Sequence, residues 1–231
     1  MKIDIWSDIA CPWCYIGKRR FERALAAFEH RDEVEVVWHS YQLDPTLPEH
    51  YDGTEAAYLA TRKGLPEEQV RQMFAHVAQQ AAGEGLDYDF DALVVANSMR
   101  GHQLLHLARE NGVADQVKEA LLRTHFVEGG DIGDEEVLVR IGVAAGLAEQ
   151  DVRDELASGS RIPAVRADVA EAAALGIQAV PTFVLDMTYA VSGAQPSEVF
   201  ATALEQAWAA SRPRLQQLAD GDACGPDGCA I

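Results

Sequence analysis

The 231-residue sequence has little positive charge and no long hydrophobic run. It contains 19 Lys and Arg residues against 37 Asp and Glu, and this formal net charge of -18 repels phosphate backbones and anionic lipid surfaces. Nucleic acid and membrane are therefore poor partners for the chain. No segment approaches the roughly 20 apolar residues of a transmembrane helix, and the N-terminus lacks the apolar run of a signal peptide. We expect a cytoplasmic protein, whose 48% hydrophobic residues are ample for a buried core.

Cysteine is also scarce. The four cysteines form two close pairs, Cys11 with Cys14 and Cys224 with Cys229. Thiols in the cytosol are kept largely reduced, so these pairs indicate catalytic, sensing or metal-binding roles more than a structural disulfide framework.

The first pair lies in the motif Cys11-Pro12-Trp13-Cys14, directly after Lys2-Ile3-Asp4-Ile5-Trp6-Ser7, whose alternating pattern predicts a strand. A Cys-x-x-Cys pair at a strand-to-helix turn lies at a helix N-terminus, where unpaired backbone N–H groups and the macrodipole stabilise a thiolate. The proline suits the first helical position, and Tyr15 to Phe28 continues with a helical apolar pattern. We expect Cys11 to be the exposed, activated thiol and Cys14 the buried resolving thiol. A redox pair is favoured over half of a zinc site or two ordinary buried cysteines.

The rest of the chain predicts a small mixed sheet with a helical insertion. Val34 to Leu43 is rich in β-branched and aromatic residues and predicts a second strand, and Thr182–Asp186 with Tyr189–Ser192 predicts a β-hairpin. Strand, helix and strand in succession favour a right-handed βαβ unit with a parallel pair. Apolar spacing of about 3.6 residues predicts helices in the block from about Thr54 to about Ser160 and around the hairpin. These helices are Glu55–Lys63, Pro66–Gly83, Ala92–Asn111, Ala114–Glu128, Asp134–Ala145, Glu149–Ser158, Ala164–Leu175 and a last one from Pro196 to before Pro213.

Together, the first strand, the Cys-Pro-Trp-Cys motif, the inserted helical block and Val180-Pro181-Thr182 before a strand resemble the DsbA-like thiol oxidoreductases. The resemblance implies an α/β thioredoxin-like fold, with a mixed central sheet flanked by helices and a large inserted all-helical domain. It divides the chain into a discontinuous thioredoxin-like domain (1–53 and 161–215), an inserted helical domain (54–160) and a flexible C-terminal tail (216–231). Three segments resemble the FrnE subfamily more closely: Ser7-Asp8-Ile9-Ala10-Cys11-Pro12-Trp13-Cys14-Tyr15-Ile16-Gly17, Gln42-Leu43-Asp44-Pro45 and Ser192-Gly193-Ala194-Gln195-Pro196.

The resemblance also implies that the Val180-Pro181 bond is cis and faces the cysteines, with backbone groups before the proline placed to pair with an extended substrate. Two positions depart from the family pattern. Trp13 stands where DsbA-type proteins often carry a His that stabilises the thiolate, and Ile5 stands where thioredoxin-fold oxidoreductases carry a buried acid. Asp8 is the nearest carboxylate, and a turn or capping role is at least as favoured for it as proton relay to Cys14.

His102 and His106 stand four residues apart on one predicted helix, a spacing that two ligands of one metal can have. The stretch His-Gln-Leu-Leu-His lacks the Glu of the zincin motif, so we interpret both as ordinary core or surface histidines and predict no metal site. In relatives this helix borders the active-site groove. The resemblance therefore implies that Asn97 and His102 border the groove in this chain.

The function that the resemblance implies is thiol–disulfide exchange on protein or small-molecule thiols and disulfides. Cys11 attacks a disulfide and Cys14 resolves the mixed disulfide, or the reverse sequence oxidises a dithiol. No bound cofactor is required, and glutathione or another thiol/disulfide couple is the expected co-substrate. Two alternatives stay open. One is a glutathione-dependent isomerase or kappa-type transferase, whose members typically have Ser at the position of Cys11, and the other is a metal-binding or redox-sensing protein built on four thiols.

The second pair, Cys224-Gly225-Pro226-Asp227-Gly228-Cys229, lies outside the family pattern. Four intervening residues that include Gly and Pro can fold back far enough for a local disulfide. We interpret the pair as an auxiliary redox pair that exchanges with Cys11 and Cys14 from a flexible tether. A metal clamp made by all four thiolates and a terminal disulfide without further role are the alternatives.

Overall fold

The structure is a computed structural model that describes residues 1–49 and 51–211, together with the backbone of residues 224–225 and 228–229. Four strands form one mixed sheet: β1 (Lys2–Ser7), β2 (Glu35–Ser40), β3 (Thr182–Leu185) and β4 (Tyr189–Ser192). The strand order is β2-β1-β3-β4, with β1 parallel to β2 and antiparallel to β3, and with β3 antiparallel to β4. The predicted mixed sheet, its parallel pair and its hairpin are confirmed.

Nine α-helices and one short 3-10 helix (Arg31–Glu33) accompany the sheet within the described residues. Helix α1 (Pro12–Ala27) connects β1 to β2, and six helices follow β2: α2 (Glu55–Lys63), α3 (Glu67–Ala82), α4 (Met99–Glu110), α5 (Ala114–Phe126), α6 (Glu135–Ala144) and α7 (Glu149–Ser158). Helix α8 (Ile162–Ala174) precedes β3, and α9 (Ser197–Ser211) follows β4. In this part of the chain no helix has both the length and the apolar character needed to cross a bilayer. The predicted thioredoxin-like fold with a helical insertion is confirmed.

Strand β1 lies inside the sheet, and its two faces differ in chemistry. Its two isoleucines are fully buried in the main hydrophobic core, whereas Asp4 and Trp6 point to the opposite face because side chains alternate along a strand. The Trp6 indole stacks on the His39 ring with centroids 4.4 Å apart, and its Nε1 donates to the Asp168 carbonyl oxygen at 3.0 Å. From Ile3 to Ser7 the predicted strand is therefore buried on both faces, polar Asp4 included.

Three aromatic rings join α1, β3 and α9. Phe21 of α1 lies 5.2 Å from Phe183 of β3 and 5.8 Å from Phe200 of α9, measured between ring centroids. The Phe183 and Phe200 rings are 4.6 Å apart, and all three side chains are buried. Tilted and edge-to-face pairs of this kind add to the stabilisation that burial provides. The cluster anchors α1 on the sheet, and with it the cysteine motif at the start of that helix.

Strand β2 is shorter than the predicted segment Val34–Leu43. At and beyond its last residue, backbone N–H groups donate to carboxylates: Ser40 N to Asp168 Oδ2 at 2.8 Å and Leu43 N to Asp8 Oδ2 at 2.7 Å. Both carboxylates are buried, where a charge-assisted hydrogen bond is strong. The chain therefore leaves the sheet after Ser40 and is held against the turn between β1 and α1.

Helix α4 begins later than the predicted segment Ala92–Asn111. The Asn97 side chain accepts a hydrogen bond from the Met99 N–H at 2.9 Å and donates to the Leu47 carbonyl at 2.5 Å. Its Oδ1 also accepts from the Gln42 amide at 3.2 Å. An Asn side chain that bonds backbone groups in this way competes with helix formation, so the helix starts only at Met99.

Beyond α9, the backbone of β5 (Cys224–Gly225) pairs antiparallel with β6 (Gly228–Cys229), and Cys224 stands opposite Cys229. The side chains of these two cysteines lie outside the described part of the chain, as do residues 212–223. The interpretations of the second cysteine pair and of the tail therefore stay predictions.

Candidate active site

The two cysteines of the Cys-Pro-Trp-Cys motif flank the first turn of α1. Cys11 is the N-cap residue, with φ -103° and ψ 111°, and the proline is the first helical residue. The Cys14 backbone N–H donates to the Cys11 carbonyl at 3.0 Å. Both thiols are free, and both are buried, with Cys11 4% and Cys14 1% exposed. The prediction of an exposed Cys11 is wrong for this conformation, because Val180 and Trp13 pack around the pair.

The Val180-Pro181 peptide bond is cis, as the resemblance implies. It lies against the thiols, since the Cys11 Sγ donates to the Val180 carbonyl oxygen at 3.6 Å. Pro181 also packs closely on α1: a Cβ atom added at Gly17 would lie only 2.8 Å from Pro181 Cγ. Glycine at position 17 thus allows the proline loop to approach the helix that begins with the cysteines.

Asp8 is buried in the turn between β1 and α1. Its Oδ1 accepts from the Ala10 N–H at 3.4 Å and from His102 Nε2 at 3.1 Å, and its Oδ2 accepts from the Leu43 N–H. Burial raises the pKa of Asp8, but the hydrogen bond from His102 and those from its other donors lower it below its ordinary value. The bond to Ala10 confirms the predicted turn role, and the carboxylate is ionised.

A buried lysine that sequence reasoning missed lies beside the same turn. Lys118 of α5 is fully buried, and its Nζ donates to the Ser7 carbonyl at 3.4 Å. Burial lowers the pKa of Lys118 to about 8, although the negative charges of the thiolates and of Asp8 act in the opposite direction. The sequence does carry a signal, because Lys118 precedes Leu121 and His125 by three and seven residues and so shares the buried face of α5.

The two thiols share a proton unequally. The hydrogen bond with Cys14 and burial raise the pKa of Cys11 well above its ordinary value. Burial also raises the pKa of Cys14, but the hydrogen bond from Cys11, the charge of Lys118 and the hydrogen bond from Ser7 outweigh it and lower that pKa. Because the two thiols are hydrogen-bonded to each other, the first proton is lost from the pair as a unit.

The helical insertion also covers the motif itself. The Tyr88 hydroxyl donates to the Pro12 carbonyl at 2.7 Å, and the half-buried Trp13 ring lies 6.3 Å from the His76 ring, measured between centroids. No sequence motif marks Tyr88 or His76, and only the packing of the insertion on α1 brings them to the cysteines.

The two histidines of α4 bind different acids. Burial lowers the pKa of His102, and its neutral ring donates from Nε2 to Asp8. His106 Nε2 instead lies 3.0 Å from Asp168 Oδ2 and 3.1 Å from Ser40 Oγ. Both rings are buried, so their interpretation as core histidines is confirmed. His102 is fully buried and contacts Asp8 in the turn before the cysteines, so its predicted place at the groove stays a prediction.

One group within the described residues offers ligand atoms close enough together for a metal: His39, Asp168 and Glu171, within 4.8 Å of one another. Both ring nitrogens of His39 already face carboxylates, Nε2 to Asp4 Oδ1 at 2.7 Å and Nδ1 to Asp168 Oδ1 at 3.3 Å. Burial lowers the pKa of His39, but these carboxylates raise it above its ordinary value. The two carboxylates therefore engage both ring nitrogens of His39 and favour its protonated form.

A cavity of about 310 Å³ adjoins the cysteine turn. It is lined by Ala10, which precedes the first cysteine, by Glu55 and Lys63 of α2, and by His125 of α5. Burial raises the pKa of Glu55 to about 7 and lowers the pKa of His125 to about 4. The His125 Nδ1 is buried without a partner among the described residues. Polar groups in a concave site of this size are suited to a small polar ligand.

Two free thiols at a helix N-terminus, next to a cis-proline loop on a thioredoxin-like sheet, define a thiol–disulfide oxidoreductase. Comparison with known proteins agrees with this class. Residues 2–205 match the DsbA-like thioredoxin domain, and the chain belongs to that family.

Three relatives illustrate the relationship. The crystal structure of a probable DsbA oxidoreductase from Streptomyces coelicolor is similar with 47% identity and a TM-score of 0.85, covering 100% of this chain and 99% of that one. The cytosolic disulfide reductase DsbM from Pseudomonas aeruginosa, in a structure with GSH, shares the fold at 20% identity and a TM-score of 0.65, covering 90% of this chain and 100% of its own. The uncharacterized protein YwbO of Bacillus subtilis (strain 168) is 24% identical over 206 residues, which are 87% of this chain and 94% of that protein.

Proposed function

We propose that Cys11 and Cys14 are the catalytic residues of this oxidoreductase and exchange electrons with protein or small-molecule thiols and disulfides. The observation that carries the proposal is the 3.6 Å contact between Cys11 Sγ and the Val180 carbonyl oxygen, which joins the first thiol to the loop before Pro181. An extended substrate segment that pairs with the backbone of this loop would present its sulfur to Cys11. Pro12 and Trp13, within the first turn of α1, support the pair.

Cys11 is the nucleophile, because it is the first residue of the motif and the less buried of the two thiols. When its proton passes to Cys14, the Cys11 thiolate attacks a substrate disulfide: a bond from Cys11 to one substrate sulfur forms, the substrate disulfide breaks, and one thiolate leaves. Cys14 then gives its proton to that first substrate thiolate and attacks Cys11 Sγ, so the Cys11–Cys14 disulfide forms, the bond from Cys11 to the substrate breaks and the second substrate thiolate leaves. The substrate gains two electrons and the pair loses two. The reverse sequence oxidises a dithiol.

A small thiol such as glutathione is the proposed co-substrate that restores the reduced pair. The cavity beside the cysteine turn supports this assignment, because it reaches Ala10 and is large enough for a small peptide-like thiol. Glu55 and Lys63, a carboxyl group and an ammonium group on α2, can bind the amino and carboxylate groups of such a ligand. The relative DsbM, whose structure contains GSH, favours the same class of ligand.

The finer assignments rest on the sequence. The three segments around the cysteine motif, after β2 and after β4 support assignment to the FrnE subfamily, and the cytosolic relative DsbM favours a cytoplasmic location. The domain division is 1–53 with 161–215 for the thioredoxin-like domain, 54–160 for the inserted helical domain and 216–231 for the tail. Cys224 and Cys229 are the proposed auxiliary redox pair of that tail.

Trapping of mixed disulfides tests the proposed chemistry. The reduced Cys14→Ser variant is incubated with oxidised glutathione, and the peptide that contains Cys11 is weighed by mass spectrometry, with Cys11→Ser as the matched control. We expect a glutathionyl group on Cys11, or a cross-link from Cys11 to Cys224 or Cys229 if the tail pair exchanges with the first. Neither product should form in the control.

The same preparations separate the alternatives. A rate of disulfide reduction that survives Cys11→Ser would refute the assignment. Tight glutathione binding with isomerase activity that survives the loss of Cys14 would instead assign a glutathione-dependent isomerase or transferase. Stoichiometric zinc in freshly purified protein, released on alkylation of all four cysteines, would assign a metal-binding protein.

A further inference from the structure

Two lysines are buried next to Trp38, and they differ in their partners. Lys18 Nζ lies 6.0 Å and Lys118 Nζ 5.7 Å from the centroid of the Trp38 ring. Lys118 donates to the Ser7 carbonyl and, within the described residues, has no carboxylate at salt-bridge distance. Lys18 instead pairs with three carboxylates, those of Glu22, Asp115 and Glu119.

A buried ammonium group without an acidic partner is unfavourable unless another anion is close. The charged and titratable groups around Lys118 come from three parts of the fold: Cys11, Cys14 and Lys18 from α1 and its cap, Asp8 from the turn before it, and His102 from α4. Asp8 already accepts hydrogen bonds from His102 and from two backbone N–H groups. Asp8 is the other buried anion near Lys118, and hydrogen bonds from these neutral donors already satisfy it, so the thiolate of the cysteine pair is the anion left for Lys118 to stabilise.

We propose that Lys118 supplies the positive charge that stabilises the reduced, singly ionised Cys11–Cys14 pair. The inference rests on the proposed function of this pair. A nearby opposite charge favours the ionised form of a buried group, whereas burial alone favours the neutral form. Lys118 belongs to the helical insertion, so the insertion sets the acidity of thiols that the thioredoxin-like part of the fold presents.

The charge of Lys118 also affects the redox equilibrium of the cysteine pair. On oxidation the thiolate is consumed in the Cys11–Cys14 disulfide, and Lys118 loses the anion that it stabilises. Lys118 therefore stabilises the reduced form over the oxidised form, which makes the disulfide a stronger oxidant. In the resolving step Cys14 loses its proton before it attacks Cys11, and the ammonium group of Lys118 favours that loss. Lys118 acts by changing the ionisation of the thiols and does not contact the substrate, so it is a positioning residue.

The test measures the acidity of the thiols without any substrate. The full-length chain carries Cys224→Ser and Cys229→Ser, so that only the first pair titrates, and thiolate absorbance is followed against pH in the reduced protein. Lys118→Met removes the charge, Lys118→Gln removes the charge but keeps a donor for the Ser7 carbonyl, and Lys118→Arg keeps the charge. Lys18→Met is the matched control, because it removes the other lysine beside Trp38.

We expect the first pKa of the pair to rise by about 1–3 units in both neutral variants. Lys118→Arg should restore at least part of the wild-type value, and Lys18→Met should leave the titration unchanged. In glutathione redox buffers the neutral variants should become less oxidising, by about 30 mV for each tenfold change in the equilibrium constant.

A titration of Lys118→Met and Lys118→Gln that coincides with the wild type would overturn the inference. So would an equal shift in Lys18→Met, because that result would assign the effect to the packing around Trp38. If Lys118→Met does not fold, Lys118→Gln and Lys118→Arg still give the comparison of a neutral with a charged side chain. A wild-type chain that titrates as expected but exchanges no disulfides would refute the proposed function and leave the role of Lys118 in the titration standing.

Discussion

The spacing between α1 and the cis-proline loop depends on Gly17, and the variant Gly17→Ala perturbs it directly. The added Cβ would lie 2.8 Å from Pro181 Cγ, whereas ordinary contacts begin at 3.4 Å, so the proline ring must move by about 0.6 Å. Overpacking of this kind destabilises by about 1–3 kcal/mol. Replacing a glycine inside a helix by alanine raises the free energy of unfolding by about 1 kcal/mol. We therefore expect the free energy of unfolding to fall by about 0–2 kcal/mol.

The movement of Pro181 also displaces the preceding Val180 and lengthens its 3.6 Å contact with Cys11. We therefore expect Gly17→Ala to slow disulfide exchange under conditions where the protein is fully folded. Urea unfolding gives the stability, and reduction of a disulfide substrate gives the rate.

The matched control is Gly142→Ala, whose Cβ would lie 2.7 Å from Val152 Cγ2, at the contact of α6 with α7. It should lose stability and keep the wild-type rate. A Gly17→Ala protein that is more stable than the wild type and equally fast would refute the reasoning, because helix propensity alone would then account for it.

Two further predictions concern the core and the buried charges. Phe200→Ala removes the α9 ring from the aromatic cluster, and urea unfolding should show a free energy of unfolding lower by about 3–5 kcal/mol. A loss below about 1 kcal/mol would show that the Phe200 ring does not anchor α1. Burial lowers the pKa of His39, but Asp168 and Asp4 raise it above its ordinary value of 6.5. The charge of His39 therefore contributes stability that is complete below about pH 6.5 and is lost as the pH rises through the folded-state pKa. In the oxidised protein the stability difference between wild type and His39→Gln should therefore shrink as the pH rises from about 6.5 through the folded-state pKa of His39. A difference independent of pH would contradict this account.

Some helix boundaries could be predicted because their causes are local. Helix α2 begins after Thr54, whose hydroxyl accepts from the Ala57 N–H, and it ends at Gly64, which adopts a left-handed conformation with φ 64°. Such caps follow from a few neighbouring residues. The end of β2 could not be predicted in this way, because the carboxylate that binds Ser40 belongs to Asp168, 128 residues further along the chain.

The same distinction holds at the candidate site. The cysteines stand in a local motif, and the cis bond before Pro181 follows from the family resemblance. Lys118 and Tyr88 stand in no motif, and a lysine in an amphipathic helix is normally expected at the surface. Its burial depends on α5 packing against the turn that follows β1, a contact between residues 111 positions apart. The acidity of the thiols is therefore a tertiary property and could not be predicted from the motif alone.

The cysteines are synthesised long before the residues that surround them. Val180 follows Cys11 by 169 residues, and β3, the antiparallel neighbour of β1, comes later still. At about 5–20 residues per second, the pair is made on the order of 10–30 s before the cis-proline loop. During that time no proline loop shields the thiols, and Lys118 is itself made 107 residues after Cys11, so the pair at first reacts as an ordinary flexible dithiol. The redox buffer around the ribosome, and not the completed fold, then determines the oxidation state in which the sheet first closes over them.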